Sequence, residues 1–239
     1  MWDRTQEWIH RYLEGRFEKV LDPACGPGNW LLPFARNGLF VAGNDIEARM
    51  IEGARTLLSG FASELTVGDM RCLAMNSGPF DVAVNYDSSI GHLPDDEAVL
   101  QHFESVGQNL RKGGLFFVGL TVMDLPARTG EPMALFESGR VTIPQGGEAS
   151  VVYTCDWRDP HLRREQISLE VQTWDVPNCP TRFHESYQLL TFPVERLRVL
   201  LNSLTCLKLR AIRTLELFGF PEQELTRNCG DLVLILERI

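Results

Sequence analysis

Through the first half of the chain, short apolar runs alternate with longer segments whose apolar residues recur at helical spacing. The runs FEKVLD (17–22), LFVAGND (39–45), ELTVGD (64–69), FDVAVNY (80–86) and GLFFVGL (114–120) predict strands. The intervening segments NWLLPFARNG (29–38), EARMIEGARTLLSG (47–60) and DDEAVLQHFESVGQNLRKG (95–113) predict helices. The last carries Asp95 and Asp96 in its first turn and Lys112 and Gly113 at its end, the ends that a helix dipole and a helix stop favour. Strands that alternate with helices predict an α/β fold: a doubly wound, mainly parallel, Rossmann-like sheet. The nearly unbroken apolar character of the strands fits a sheet covered on both faces.

The period then changes. Residues 121–149 are rich in Gly and Pro and predict a long loop. SVVYTCDW (150–157), REQISLEVQTW (164–174) and TRFHESYQLLTF (181–192) come next, with the period of strands. In the second, Ile167, Leu169 and Val171 alternate with Ser168, Glu170 and Gln172, which predicts a half-exposed antiparallel sheet. Pro193 opens a helix over VERLRVLLNSL, and two strands, CLKLRAIRTL and DLVLILERI, end the chain. Residues 1–120 and 191–239 therefore read as one domain. Residues 121–190 read as a small antiparallel insert over the carboxyl edge of the main sheet.

Composition narrows the function. A chain of 239 residues suits one large α/β domain with a small insert. The net charge of −9 opposes binding to a phosphate backbone, so no nucleic-acid partner is expected. Six cysteines are scattered without a CxxC pair or zinc-ligand spacing, which points to reduced thiols, a cytoplasmic protein and no metal. The charged start has no signal-peptide core, and no apolar run approaches the ~20 residues of a membrane span, so no membrane partner is expected. These features leave the oligomeric state open.

The candidate chemistry lies in VLDPACGPGNW (20–30), which reads as strand, glycine turn and helix start. In open α/β sheets, ligands bind at such a turn. A phosphate-cradling P-loop needs Lys followed by Ser or Thr after its last glycine, and here Asn29 and Trp30 come after Gly28. A dinucleotide fingerprint needs a third glycine, and Leu31 occupies its place, which argues against NAD. A third reading is a cofactor with an adenosine and no phosphates, and a fourth is a glycine turn that holds no ligand. VLDPACGPG, with acids at the succeeding strand ends, resembles the class I S-adenosylmethionine-dependent methyltransferases of the small-molecule branch, such as the glycine and sugar N-methyltransferases. The resemblance covers roughly residues 18–120 and departs at Ala24, where the general pattern has glycine.

The resemblance implies S-adenosyl-L-methionine as cofactor and assigns its contacts by position. Gly26 and Gly28 would let the backbone approach the methionine part, and Asp22 would orient the loop and help hold the amino group. Asp45 would accept from the ribose hydroxyls, and a carboxylate offers two acceptors to two neighbouring donors. Ile46 would pack on adenine, Asp69 would accept from the adenine amino group beside Met70, and Asn85 would line the reacting centre. Any one of these acids, taken singly, is more often a cap or turn residue. Their order at successive strand ends carries the reading.

The implied reaction is methyl transfer to a small molecule by in-line displacement. The protein aligns the acceptor, and a base is needed only for a hydroxyl acceptor. His92, His184 and Tyr86 are the catalytic candidates, each with a plain alternative as a flanking, solvent-facing or packing residue. Tyr153, Trp157, Trp174 and Tyr187 could wall an organic substrate, and Arg158 or Arg182 could hold its acidic group. NYDS after the fourth strand lacks the Pro-Pro of nucleic-acid amino-methyltransferases, and NYDSSIGHL resembles the small-molecule members, which favours N over O as acceptor. The other reading is a catalytically inactive S-adenosylmethionine-binding regulator or scaffold, and an oxidoreductase stands as a third.

Overall fold

The computed structural model describes residues 2–122, 127–143, 146–177, 179–214, 225 and 230–239. Two compact units divide the chain, one of Met1–Met123 with Pro193–Ile239 and one of Asp124–Phe192.

The first unit is a seven-stranded sheet with helices. Strands β1 (Lys19–Asp22), β2 (Phe40–Asp45), β3 (Ser63–Val67), β4 (Phe80–Asn85) and β5 (Leu110–Val122) run parallel where they pair. Numbering the second unit's strands β6–β10, the two last strands are β11 (Leu207–Thr214) and β12 (Gly230–Arg238). The spatial order is β11-β12-β5-β4-β1-β2-β3, and β12 is antiparallel to both its neighbours. The chain order reverses between β1 and β4. In a doubly wound sheet, a ligand crevice opens outside the carboxyl ends at that switch point, where Asp22 and Asn85 stand.

The helices are α1 (Trp2–Tyr12), α2 (Leu32–Arg36), α3 (Ala48–Leu57), α4 (Asp96–Asn109) and α5 (Val194–Asn202). Val20, Val82, Val84, Leu115, Phe117, Val233 and Ile235 of the sheet join Trp8, Ile9, Phe34 and Ile51 in one buried cluster. Trp8 stacks on Phe117 with centroids 6.4 Å apart, which fixes α1 on that cluster.

The second unit pairs β6 (Met133–Glu137), β8 (Glu148–Asp159), β9 (Arg164–Trp174) and β10 (Arg182–Leu190) in the antiparallel order β10-β9-β8-β6. The short β7 (Val141–Thr142) adds to β8.

Five elements differ from the sequence expectation, one of them α1, which the sequence pattern does not predict. The helix expected from Asn29 begins at Leu32, because Leu31 and Leu32 both donate to the Gly28 carbonyl (3.1 and 3.0 Å) and 29–31 form a turn. Pro33, with no N–H to donate, fits the first turn of α2. The helix expected to 113 stops at Asn109, and Lys112 and Gly113 lie inside β5. Gly113 has φ +72 where the β4–β5 register slips between Phe80 and Val82, so this glycine serves a bulge rather than a helix stop. Asp95 is the N-cap itself and accepts from the Ala98 N–H at 2.9 Å, leaving Asp96 and Glu97 in the first turn. Finally, the stretch expected as loop carries β6 and β7, held by their hydrogen bonds to β8 rather than by local propensity.

Candidate functional site

The turn after β1 needs glycine at two places. Gly26 and Gly28 have φ +52 and +87, which side chains rarely adopt. A Cβ on Gly28 would also sit 3.3 Å from Leu58 Cδ1 and 3.4 Å from Ala54 Cβ, so this glycine lets α3 approach the turn.

The N–H groups of the turn point at carboxylates. Asp22 Oδ1 accepts from Ala24 at 3.1 Å, and Asp45 Oδ2 accepts from Gly26 at 2.8 Å. Asp45 Oδ1 accepts from Glu47 at 2.9 Å, which also starts α3. Asp22 is buried. Burial pushes its carboxyl up to about 7, partly offset by the Ala24 N–H and the Asn85 side chain, with Asp87 and Asp45 adding repulsion. Asn85 spends its amide on Asp22, and its own Oδ1 is buried with no partner. Asp87, two residues on, is held by the Trp30 indole N–H at 2.6 Å, and Trp30 sits edge-on to Tyr86 at 5.0 Å. The strand tips therefore gather three carboxylates and an unsatisfied carbonyl, an array of acceptors.

Farther along the tips, Ile46 (68% exposed), Val67 (53%) and Met50 (44%) expose apolar surface beside Asp45, whose register partner is Val67. Exposed apolar side chains around a polar acceptor suit a flat heterocycle. Asp69 lies past β3, and Arg71 grips its carboxylate through Nε and NH2. That pairing, above all, holds the Asp69 carboxyl below its usual range. Met70 comes next in the same loop, which His102 of α4 reaches with a 3.1 Å contact to the Met70 carbonyl.

The sequence pattern does not single out Asn44, Trp30 or Asp87 as site residues. Asn44 is buried, and its side chain donates to the carbonyls of Pro23 (3.1 Å) and Gly68 (2.9 Å), while its backbone carbonyl accepts from the Cys25 N–H at 2.8 Å. It ties the turn after β1 to the loop after β3. Its signal is a carboxamide inside an otherwise apolar strand, where a buried polar group needs partners.

Of the catalytic candidates, Tyr86 is buried, with its hydroxyl 3.0 Å from Thr5 Oγ1. His92 is exposed in the single 3₁₀ turn Ser89–His92 after β4. His184 is exposed on β10, opposite Glu170 in the second unit. In that unit Arg158 is buried on Glu165 (2.8 Å) and Arg182 pairs with Glu170, so both arginines already have acidic partners. The Tyr153 and Tyr187 hydroxyls bond each other, and Arg140 stacks over Trp174 at 4.0 Å. Trp157 is half-buried. Among the described residues, no cluster of His, Cys, Asp and Glu could hold a metal, and no helix is long and apolar enough to cross a membrane. Cys25, Cys72, Cys155, Cys179 and Cys206 are free thiols, and Cys229 lies outside the described residues.

A family described as "Methyltransferase domain" matches residues 20–114, the span from β1 into β5. A Bacillus subtilis protein named "Putative methyltransferase YqeM" is 30% identical over 115 residues, 48% of this chain and 46% of that protein. A ubiquinone biosynthesis O-methyltransferase of Chelativorans is 33% identical over 102 residues, 42% of this chain and 39% of that protein. The chain thus spans less than half the length of the curated relatives it matches. In structure it is similar to the S-adenosylmethionine-bound amino pentose methyltransferase CalS10 of Micromonospora echinaspora, with a TM-score of 0.71 at 16% identity over 99% of this chain and 91% of that one.

Proposed function

We propose that this chain, a class I S-adenosylmethionine-dependent methyltransferase by its methyltransferase domain and its fold, methylates a small-molecule acceptor, with nitrogen favoured over oxygen. The acceptor array at the tips of β1, β2 and β4 carries this reading. The N–H groups of Ala24 and Gly26 are already donated to Asp22 and Asp45, so the turn opposes a pyrophosphate and suits a cation rich in donors. S-adenosylmethionine brings an ammonium, ribose hydroxyls, an adenine amino group and a sulfonium that supplies an already activated methyl group.

In this reading Asp22 and the Asn85 carbonyl accept from the ammonium, with Ala24, Gly26 and Gly28 giving backbone access. Asp45 accepts from the ribose hydroxyls. Ile46 covers one side of the adenine, while Asp69 and Met70 border its edge, with Arg71 turning off Asp69 when the adenine amino group arrives. Asn85 borders the reacting centre. His92 and His184 are the candidates for taking a proton from the acceptor, and Tyr86 acts by holding the tip of β4. The negative charge of the tips favours an amine over an anionic acceptor. The free thiols and the charge of −9 support a cytoplasmic enzyme with no nucleic-acid partner.

Titration calorimetry with S-adenosylmethionine, S-adenosylhomocysteine and NAD tests the site. Binding of the first two and not the third is expected, and binding of NAD alone overturns the reading. Release of S-adenosylhomocysteine with a panel of amines and phenols then separates an enzyme from a binding-only scaffold and N from O acceptors.

A further inference from the structure

His102 lies on α4, outside the acceptor array, yet it is fully buried and reaches a loop far from it in sequence. Its Nδ1 is 3.1 Å from the Met70 carbonyl. A carbonyl can only accept, so Nδ1 carries the proton and Nε2 is a bare acceptor. That Nε2 is buried without a partner, and the imidazole packs on the rings of Phe103 and Phe116 with centroids 5.8 and 5.7 Å away. Burial pushes the imidazole down to about 4, outweighing the Met70 carbonyl and Asp69, so the ring stays neutral. One helical turn on, Ser105 Oγ accepts from the Leu73 N–H at 2.8 Å. Within the loop, Asp69 accepts from the N–H of Cys72 with its carbonyl and from that of Arg71 with Oδ1. Residues 69–73 thus form a closed turn fastened to α4 at two points.

A ring used only for filling would be better apolar, since an orphaned buried acceptor costs stability. The imidazole has a bond that phenylalanine cannot make, and that bond ends on the residue next to Asp69. We propose that His102, with Ser105, is a positioning residue that fixes the 69–73 loop so that Asp69 and Met70 meet the adenine ring. This rests on the cofactor reading above.

The test uses His102→Phe, His102→Asn and Ser105→Ala. The Phe variant keeps a planar aromatic ring, a slightly larger one, and loses both the bond and the orphaned acceptor. The Asn variant returns a donor near the position of Nδ1. Two quantities are read in each: amide hydrogen exchange at Arg71, Cys72 and Leu73 in the ligand-free protein, and affinity for S-adenosylhomocysteine. For His102→Phe, Tm should be unchanged or higher, exchange at these amides faster and Kd about five-fold higher, the scale of one lost hydrogen bond. Ser105→Ala should act in the same direction, and His102→Asn should restore both readouts. Unchanged exchange in the Phe and Ala variants overturns the proposal. So does a Tm loss in His102→Phe that His102→Asn shares, the mark of a packing residue. If the wild-type protein ignores S-adenosylhomocysteine, the cofactor reading fails, and the exchange data still decide whether His102 holds the loop.

Discussion

Asp45 Oδ2 accepts the Gly26 N–H at 2.8 Å, so the carboxylate at the tip of β2 holds the glycine turn at the end of β1. One side chain both shapes the backbone that borders a ligand and presents an acceptor to it. Asp45→Ala should therefore weaken S-adenosylmethionine binding by about 1–3 kcal/mol, the scale of buried donors left unpaired. Calorimetry measures it, and an unchanged Kd removes Asp45 from the ribose role.

Asp22 gives a pH signature. Burial raises its carboxyl to about 7 in the folded chain, so folding favours the protonated form. The stability this contributes is present below the unfolded value of 3.8 and is lost as pH rises through about 7. Asp22→Asn should melt higher than wild type at pH 8 and match it at pH 4. A cationic ligand reverses the balance by favouring the carboxylate. Cofactor affinity should therefore rise from pH 6 to pH 8, with proton release visible as a dependence of binding heat on buffer. Asp22→Asn should flatten both effects.

Asp81 works in the opposite sense. It accepts from the N–H groups of Glu18 (2.8 Å) and Lys19 (3.0 Å) and from Arg111 Nε (2.6 Å), joining the starts of β1, β4 and β5. Burial alone would raise its carboxyl, but these donors outweigh it and the net shift is downward. Its contribution is present above the usual carboxylate value and lost as pH falls through the lowered one. Asp81→Ala should cost about 1–3 kcal/mol at pH 7 by denaturant unfolding and less at low pH. A constant cost across pH would argue that only packing was lost.

Tyr86 distinguishes chemistry from packing. Its hydroxyl meets Thr5 Oγ1 inside the core. Tyr86→Phe should cost about 1 kcal/mol of stability and leave turnover nearly unchanged. Loss of turnover with an unaltered melting curve would make Tyr86 the proton acceptor instead.

Much of this architecture is legible in the sequence because buried parallel strands carry their own signal. FDVAVN and LFVAGND read as strands from composition alone, and β2 and β4 occupy them. Segments decided by long-range contact do not carry such a signal. Gly113 resembles a helix stop and instead serves a bulge set by β4, and β6 exists because β8 pairs with it. The site divides the same way. The glycine turn shows in the sequence itself, while Asp22 and Asp45 enter only through the family resemblance. Asn44 and His102 enter by neither route, because each sits in an apolar pattern and its polar partner lies in a different loop.

The place of β12 between β5 and β11 bears on how the polypeptide matures. Leu232 through Leu236, synthesised after every other strand of this sheet, fill an interior slot. Until they emerge from the ribosome, β5 presents a long apolar border with unpaired amides. Such a border invites association with other nascent chains or protection by a chaperone. Deletion of residues 232–236 should therefore reduce yield in the cell far more than an equal deletion from an exposed loop.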